Sequence, residues 1–259
     1  MKISNRLVTT FQSKPSLLSL YITAGFPKLT DTTVLLKELQ RANIDFVEVG
    51  LPFSDSLMDG PTIQHSHQVA LENGMTLEVL MEQLDSVRSE ISYPLVLMGA
   101  LNPIVQFGVE RFCERCHQVG IDGVLIPDLT LSEYQKNFKT LYQKYHLAPI
   151  FMVTPRTSEA RLLEIDAEGS GFLYVMSSSS TTGAANKTLS DSKAYLERIQ
   201  ALPLQNPKAI GFNISTREEV EFAHRYGQGA IVGSAFIRRL QQTDASKAVE
   251  DFVKELRLN

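Results

Sequence analysis

The feature that most constrains this chain is a regular alternation of two kinds of segment from one end to the other. Apolar runs of strand length recur at Leu17 to Ala24, Phe46 to Leu51, Leu95 to Ala100, Gly123 to Pro127, Ala148 to Val153, Gly171 to Met176, Ala209 to Ile214 and Gly229 to Val232. Between them lie stretches with the apolar spacing of amphipathic helices, such as Thr32 to Ala42, Leu131 to Lys144, Glu159 to Ala167 and Thr216 to Tyr226, with a last one from Ile237 to Leu256. Nearly continuous hydrophobic strands separated by helices require a parallel sheet buried on both faces. Eight such units are the number that closes into a (β/α)8 TIM barrel, preceded here by a short N-terminal helix. The alternative, an open doubly wound sheet, is weakened because no run leads into a G-x-G-x-x-G turn with its downstream acid.

At 259 residues the chain is long enough for one such barrel, and no long linker or charge block divides it, so a single domain is expected over 1–259. Lysine and arginine number 25 against 29 acidic residues, a formal charge of -4. That balance leaves no basic surplus for a nucleic-acid backbone and favours a small-molecule partner. No stretch approaches the roughly 20 continuous apolar residues that cross a bilayer, and the opening MKISNRLVTTFQSK is too polar for a signal peptide. A cytoplasmic location is therefore expected. Cys113, Cys116 and His117 spell the C-x-x-C-H of haem attachment, yet Val109, Phe112, Cys113, Cys116 and Val119 share one helical stripe, so both cysteines are read as core.

In a barrel the chemistry gathers where strands end and the following loops begin. Glu48 interrupts the apolar strand FVEVGLP, in phase with Phe46 and Gly50, and Asp59 lies in the next loop before Gly60 and Pro61. A carboxyl within an apolar strand is expensive to bury charged, so it carries its proton or finds a partner. Two carboxyls in contrasting surroundings are the usual way to obtain an acid and a base at neutral pH. Asp59 before Gly-Pro is also ordinary turn chemistry. Small residues at the end of the seventh run, within Gly211 to Ser215, and after the eighth, Gly233 to Ala235, let backbone amides approach an anion. The polar segment Ser177 to Ser190, SSSSTTGAANKTLS, leaves the sixth strand where barrel enzymes place lids and is expected to be one.

Five stretches, in this order and spacing, resemble the tryptophan synthase alpha subunit family: Tyr21 to Pro27 (YITAGFP), Val47 to Gln64 (VEVGLPFSDSLMDGPTIQ), Asn102 to Cys113 (NPIVQFGVERFC), Ile126 to Asp128 (IPD) and Gly229 to Ala235 (GAIVGSA). The second is the most specific, because it carries both acids at their spacing. The resemblance implies a retro-aldol cleavage of indole-3-glycerol phosphate to indole and glyceraldehyde 3-phosphate, with no metal or organic cofactor. It makes Glu48 the general acid and base and Asp59 the acceptor of the indole N–H. It also places Tyr174 and Thr182 against the substrate, and Gly183, Gly211, Asn213, Gly233 and Ser234 around its phosphate. The implied partner is a beta subunit, in an alpha2beta2 heterotetramer, met by Pro52, Asn102, Phe107, Asp128 and the loop from Ser54 to Gly60. Departures from the family pattern are Ser178 and Ser180 in place of arginine and glycine, Asn213 in place of glycine, and Ser56 and Thr130 in place of prolines.

Overall fold

The computed structural model describes residues 3–56, 59–177 and 192–257. Eight parallel strands close into a barrel in sequence order: β1 Leu17–Thr23, β2 Phe46–Gly50, β3 Leu95–Met98, β4 Gly123–Leu125, β5 Ala148–Val153, β6 Leu173–Met176, β7 Lys208–Gly211 and β8 Gly229–Val232. Closure comes from β1 pairing with β8, Leu18 opposite Ala230. Every strand is short and almost wholly buried, the inner face by the other strands and the outer face by the helical layer.

The inner face follows from strand alternation. Leu17, Phe46, Val96, Leu125, Ala148, Ile150, Tyr174, Ala209 and Ile231 fill the barrel interior as one cluster, joined by Phe172 just before β6. Side chains two apart share a face, so Phe46, Glu48 and Gly50 form a column rising through the barrel, and Phe172, Tyr174 and Met176 form another. The lower ends of these columns are closed by the N-terminal helix Arg6–Ser13, whose Leu7 and Phe11 are buried. Phe11 packs against Phe46 and Phe172 with ring centroids 5.5 and 5.0 Å away. The barrel floor is therefore dry and filled, while the upper ends of the same columns carry Glu48 and Tyr174.

The helices follow the expected pattern with two differences. The tail is two helices, Ser234–Leu240 and Ala245–Leu256, because Asp244 caps the second by accepting a hydrogen bond from Lys247 N–H. The segment from Leu131 to Lys144 contains one wide turn over Tyr134–Phe138, and Tyr134, Phe138 and Tyr142 all reach the core with edge-on ring contacts. Thr130 caps this segment by accepting from Glu133 N–H at 3.2 Å. Cys113 and Cys116 are buried and free on the helix Val109–Gln118, as core packing requires. Among the described residues no helix is long and apolar enough to cross a membrane.

Candidate active site

A cavity of about 290 Å³ opens at the carboxyl ends of the strands, lined by Glu48, Asp59, Tyr21, Tyr174, Asn213 and Ser234 among others. Glu48 reaches it because β2 alternates and Phe46 points inward beneath it; the carboxyl is 1 % exposed, and Oε1 has no hydrogen-bond partner. Burial first, and the neighbouring Asp59 charge second, push its pKa up to about 8. The group therefore holds its proton at neutral pH, as the strand position demanded.

Asp59 is half-buried on the loop after β2. Its N–H donates to Ser56 O at 3.0 Å in a turn, and the helix Pro61–Glu72 that follows is capped by Gly60, with no side-chain cap. The backbone makes the turn, and the carboxylate does not cap the helix that follows. Burial raises its pKa to about 6 against a lowering by its hydrogen bond with Ser56. The two carboxyls face one cavity, and burial raises Glu48 further than Asp59.

The opposite wall is built after β7 and β8. Phe212 and Asn213 both adopt positive φ, 71° and 56°, and Asn213, in place of the family's glycine, takes the left-handed conformation that asparagine tolerates. Ser177 Oγ donates to Phe212 O at 2.6 Å and fixes this turn. Gly233 caps the helix Ser234–Leu240, so its first-turn N–H groups have no intrahelical acceptor. Ser234 Oγ is buried without a partner. Glu219 also lines the cavity, but its carboxylate accepts from Ser215 N–H at 2.7 Å, Ser215 Oγ at 2.8 Å and Thr216 N–H at 3.1 Å. Those donors are consumed; Asn213, Gly233 to Ala235 and Arg238 line the rest of that wall.

Gly211 ends β7. It does not line the cavity; it lies under Tyr174, where a Cβ would come within 2.3 Å of the phenolic oxygen. The missing side chain makes room for the Tyr174 ring. Thr182 and Gly183, with Ser178 and Ser180, lie outside the described residues. Tyr21, His67 and Met98 were not singled out in the sequence, although Tyr21 opens the first family-like stretch. Only the register, which sets Tyr21 opposite Glu48, reveals its place. Among the described residues no three histidines, cysteines or acids gather as a metal ligand set.

The family model described as Tryptophan synthase alpha chain matches residues 9–258. This chain belongs to the tryptophan synthase alpha chain family. Among named alpha chains it is 44% identical to that of Flavobacterium johnsoniae over 253 residues, 98% of this chain and 100% of the relative. It is 45% identical to that of Parabacteroides distasonis over 255 residues, 98% and 99%. Among solved structures it is similar to the tryptophan synthase A-subunit of Pyrococcus furiosus, with TM-score 0.84 and 32% identity over 94% of this chain and 98% of that one. It is also similar to tryptophan synthase from M. tuberculosis in an aminoacrylate-bound form, with TM-score 0.86 and 25% identity over 98% of each chain. The alpha-chain fold and this chain's barrel coincide over nearly their whole length.

Proposed function

We propose that this protein is an indole-3-glycerol-phosphate lyase, a single-domain cytoplasmic barrel that works as the alpha subunit of an alpha2beta2 tryptophan synthase. The observation that carries this reading is that Glu48 and Asp59, the two acids of the most specific family-like stretch, line one cavity at the barrel mouth, where burial raises both carboxyls. The reaction needs an acid and an anion together at neutral pH, and the two environments supply them.

Glu48, holding its proton, delivers it to the ring carbon that bears the side chain. The ring nitrogen then carries the positive charge, and the Asp59 carboxylate accepts its N–H and stabilises it. Glu48, now ionised, takes the proton of the adjacent side-chain hydroxyl. The carbon–carbon bond breaks, its electron pair restores the aromatic ring, and the hydroxyl carbon leaves as an aldehyde. Glu48 ends protonated, so the cycle needs no outside proton. Tyr174 borders the ligand beside Glu48, and Asn213, Gly233 and Ser234 receive the phosphate, the last through its unpartnered hydroxyl. On the family resemblance Thr182 and Gly183 complete this end. No metal or organic cofactor enters the scheme.

The beta-chain surface is assigned to the exposed Asn102 and Asp128, the half-buried Phe107 and the loop carrying Ser54 to Ser56. Pro52 is buried within the chain and shapes that loop from beneath, and Asp128 accepts Leu101 N–H at 2.9 Å, tying two of the edges together.

The test is indole release by the wild type, Glu48→Gln and Asp59→Asn, each with and without a beta chain. Glu48→Gln keeps the size and removes the transferable proton, and a loss of at least about 10² in turnover is expected. Unimpaired turnover in that variant overturns the reading.

A further inference from the structure

Beyond the acid pair, the most tightly constrained polar group at the barrel mouth is the Tyr21 hydroxyl. Tyr21 is 6% exposed and sits beside Glu48 in the strand register. Its ring crosses Gly50, where a Cβ would come within 1.9 Å of the hydroxyl oxygen. Position 50 therefore has to lack a side chain for the hydroxyl to stand where it does.

The hydrogens around this oxygen can be assigned one by one. His67 Nε2 lies 3.0 Å from Tyr21 Oη, and Phe53 N–H donates to His67 Nδ1 at 3.5 Å. On that contact the ring hydrogen is assigned to Nε2, which makes His67 the donor to Tyr21. Burial keeps that imidazole neutral, its pKa lowered to about 4. Thr23 Oγ1 is 3.5 Å from Tyr21 Oη but only 2.7 Å from Ser66 Oγ. Ser66 donates to Ile63 O at 2.7 Å, and Thr23 Oγ1 is the donor toward Tyr21 Oη, so neither hydroxyl takes the phenolic hydrogen. The phenolic hydrogen of Tyr21 is thereby left for the cavity side.

Two cavities meet at this residue. The second, about 260 Å³, lies toward Leu51, Phe53 and Pro127, and the residues lining both are Tyr21, Asp59 and Met98. Of these, Asp59 alone offers a strong acceptor, and its charge acts on the phenol more strongly than that of Glu48.

We infer that Tyr21, oriented by His67, is a positioning residue that donates its hydroxyl hydrogen to the Asp59 carboxylate in the ligand complex, keeping that carboxylate ionised and aimed at the ring nitrogen. This rests on the lyase reading above. Because Asp59 acts on charge that develops only during reaction, losing the hydrogen bond lowers kcat and leaves KM nearly unchanged.

The experiment measures kcat and KM for indole release by the full chain as wild type, Tyr21→Phe, His67→Leu, His67→Gln and the Tyr21→Phe/His67→Leu pair. Tyr21→Phe is expected to lower kcat roughly tenfold with KM within about twofold, the scale of one charge-assisted hydrogen bond. His67→Leu should do the same, and His67→Gln, whose side-chain amide can still donate, should recover most of it. The double variant should be no worse than the worse single variant, since both act through one bond. Wild-type kcat in Tyr21→Phe, or equal kcat in His67→Leu and His67→Gln, overturns the inference. If Tyr21→Phe loses cooperative unfolding, the two His67 variants decide the matter alone. A wild type that releases no indole, or an undiminished Glu48→Gln, strikes the lyase reading instead, so the two failures are distinguishable.

Discussion

The two ends of the barrel treat buried carboxyls in opposite ways. At the amino-terminal ends of the strands Asp122 is 3% exposed, accepts from Leu95 N–H at 3.0 Å and pairs with Arg6 Nε at 2.9 Å. Asp45 there accepts from Leu18 N–H at 2.9 Å and Lys14 Nζ at 2.6 Å, and Asp166 accepts from Gln205 N–H at 2.7 Å and Asn206 N–H at 3.0 Å. At the carboxyl-terminal ends Glu48 keeps an oxygen with no partner at all. A satisfied carboxylate ties strand starts and the N-terminal helix together; an unsatisfied one stays reactive and weakens the fold. Stability is concentrated at the floor of the barrel and chemistry at its mouth.

That contrast can be broken at either end. The largest effect is expected from Asp122→Ala, which strands the buried Leu95 N–H and removes the carboxylate that ties Arg6 of the N-terminal helix to the barrel. Chemical denaturation should show a loss of about 3 kcal/mol, with turnover per folded molecule retained. A loss of turnover without a loss of stability would erase the division between the two ends. Glu48→Gln should behave in the opposite sense: its loss of at least about 10² in turnover equals about 2.7 kcal/mol in the barrier, while its unfolding free energy at pH 8 does not fall below that of the wild type.

The pH dependence sharpens the same point. The folded-state pKa of Glu48 is raised to about 8 from 4.5, so between those values the native state binds more protons than the unfolded chain. Stability contributed by the protonated carboxyl is whole below about pH 4.5 and drains away as pH rises toward 8. Relative to Glu48→Gln, the wild type should therefore lose at least about 1 kcal/mol between pH 5 and 8, read from paired denaturant titrations. A flat difference would mean that water or a neighbour already stabilises the charged form. The smallest effect is expected from Ser234→Ala, which removes one unpartnered hydroxyl from the anion wall. KM for the phosphorylated substrate should rise about fivefold with kcat held, and dephosphorylated analogues should be unaffected.

How much could be read in advance varies with the range of the interaction concerned. Alternation along one strand placed Glu48 inward beside Phe46, because a period of two needs no partner to be visible. The tyrosine beside it was not visible, since Tyr21 meets Glu48 only through the β1–β2 register, and His67 meets Tyr21 across 46 residues. Gly211 shows the same limit from the other direction: a glycine after a strand suggests room for an anion, and only the fold shows that the room is filled by Tyr174. The tail was read as one helix because Leu240 and Ala248 stay in helical phase across the polar Gln241 to Asp244, and the Asp244 cap that divides it is a local signal that periodicity averages over.

By itself the sequence determined the barrel, the count of its strands, the inward direction of Glu48 and the family to which the five stretches point. These depend on local period, composition and spacing, which a chain carries before it folds. Tertiary structure alone decided that one oxygen of Glu48 is left unpartnered, that Asp59 shares its cavity, and that His67 meets the Tyr21 hydroxyl beside them. Those are questions of which donors and charges come within a few ångströms in a dry interior. Burial sets the energy of each such contact, and burial exists only once the eight strands have closed.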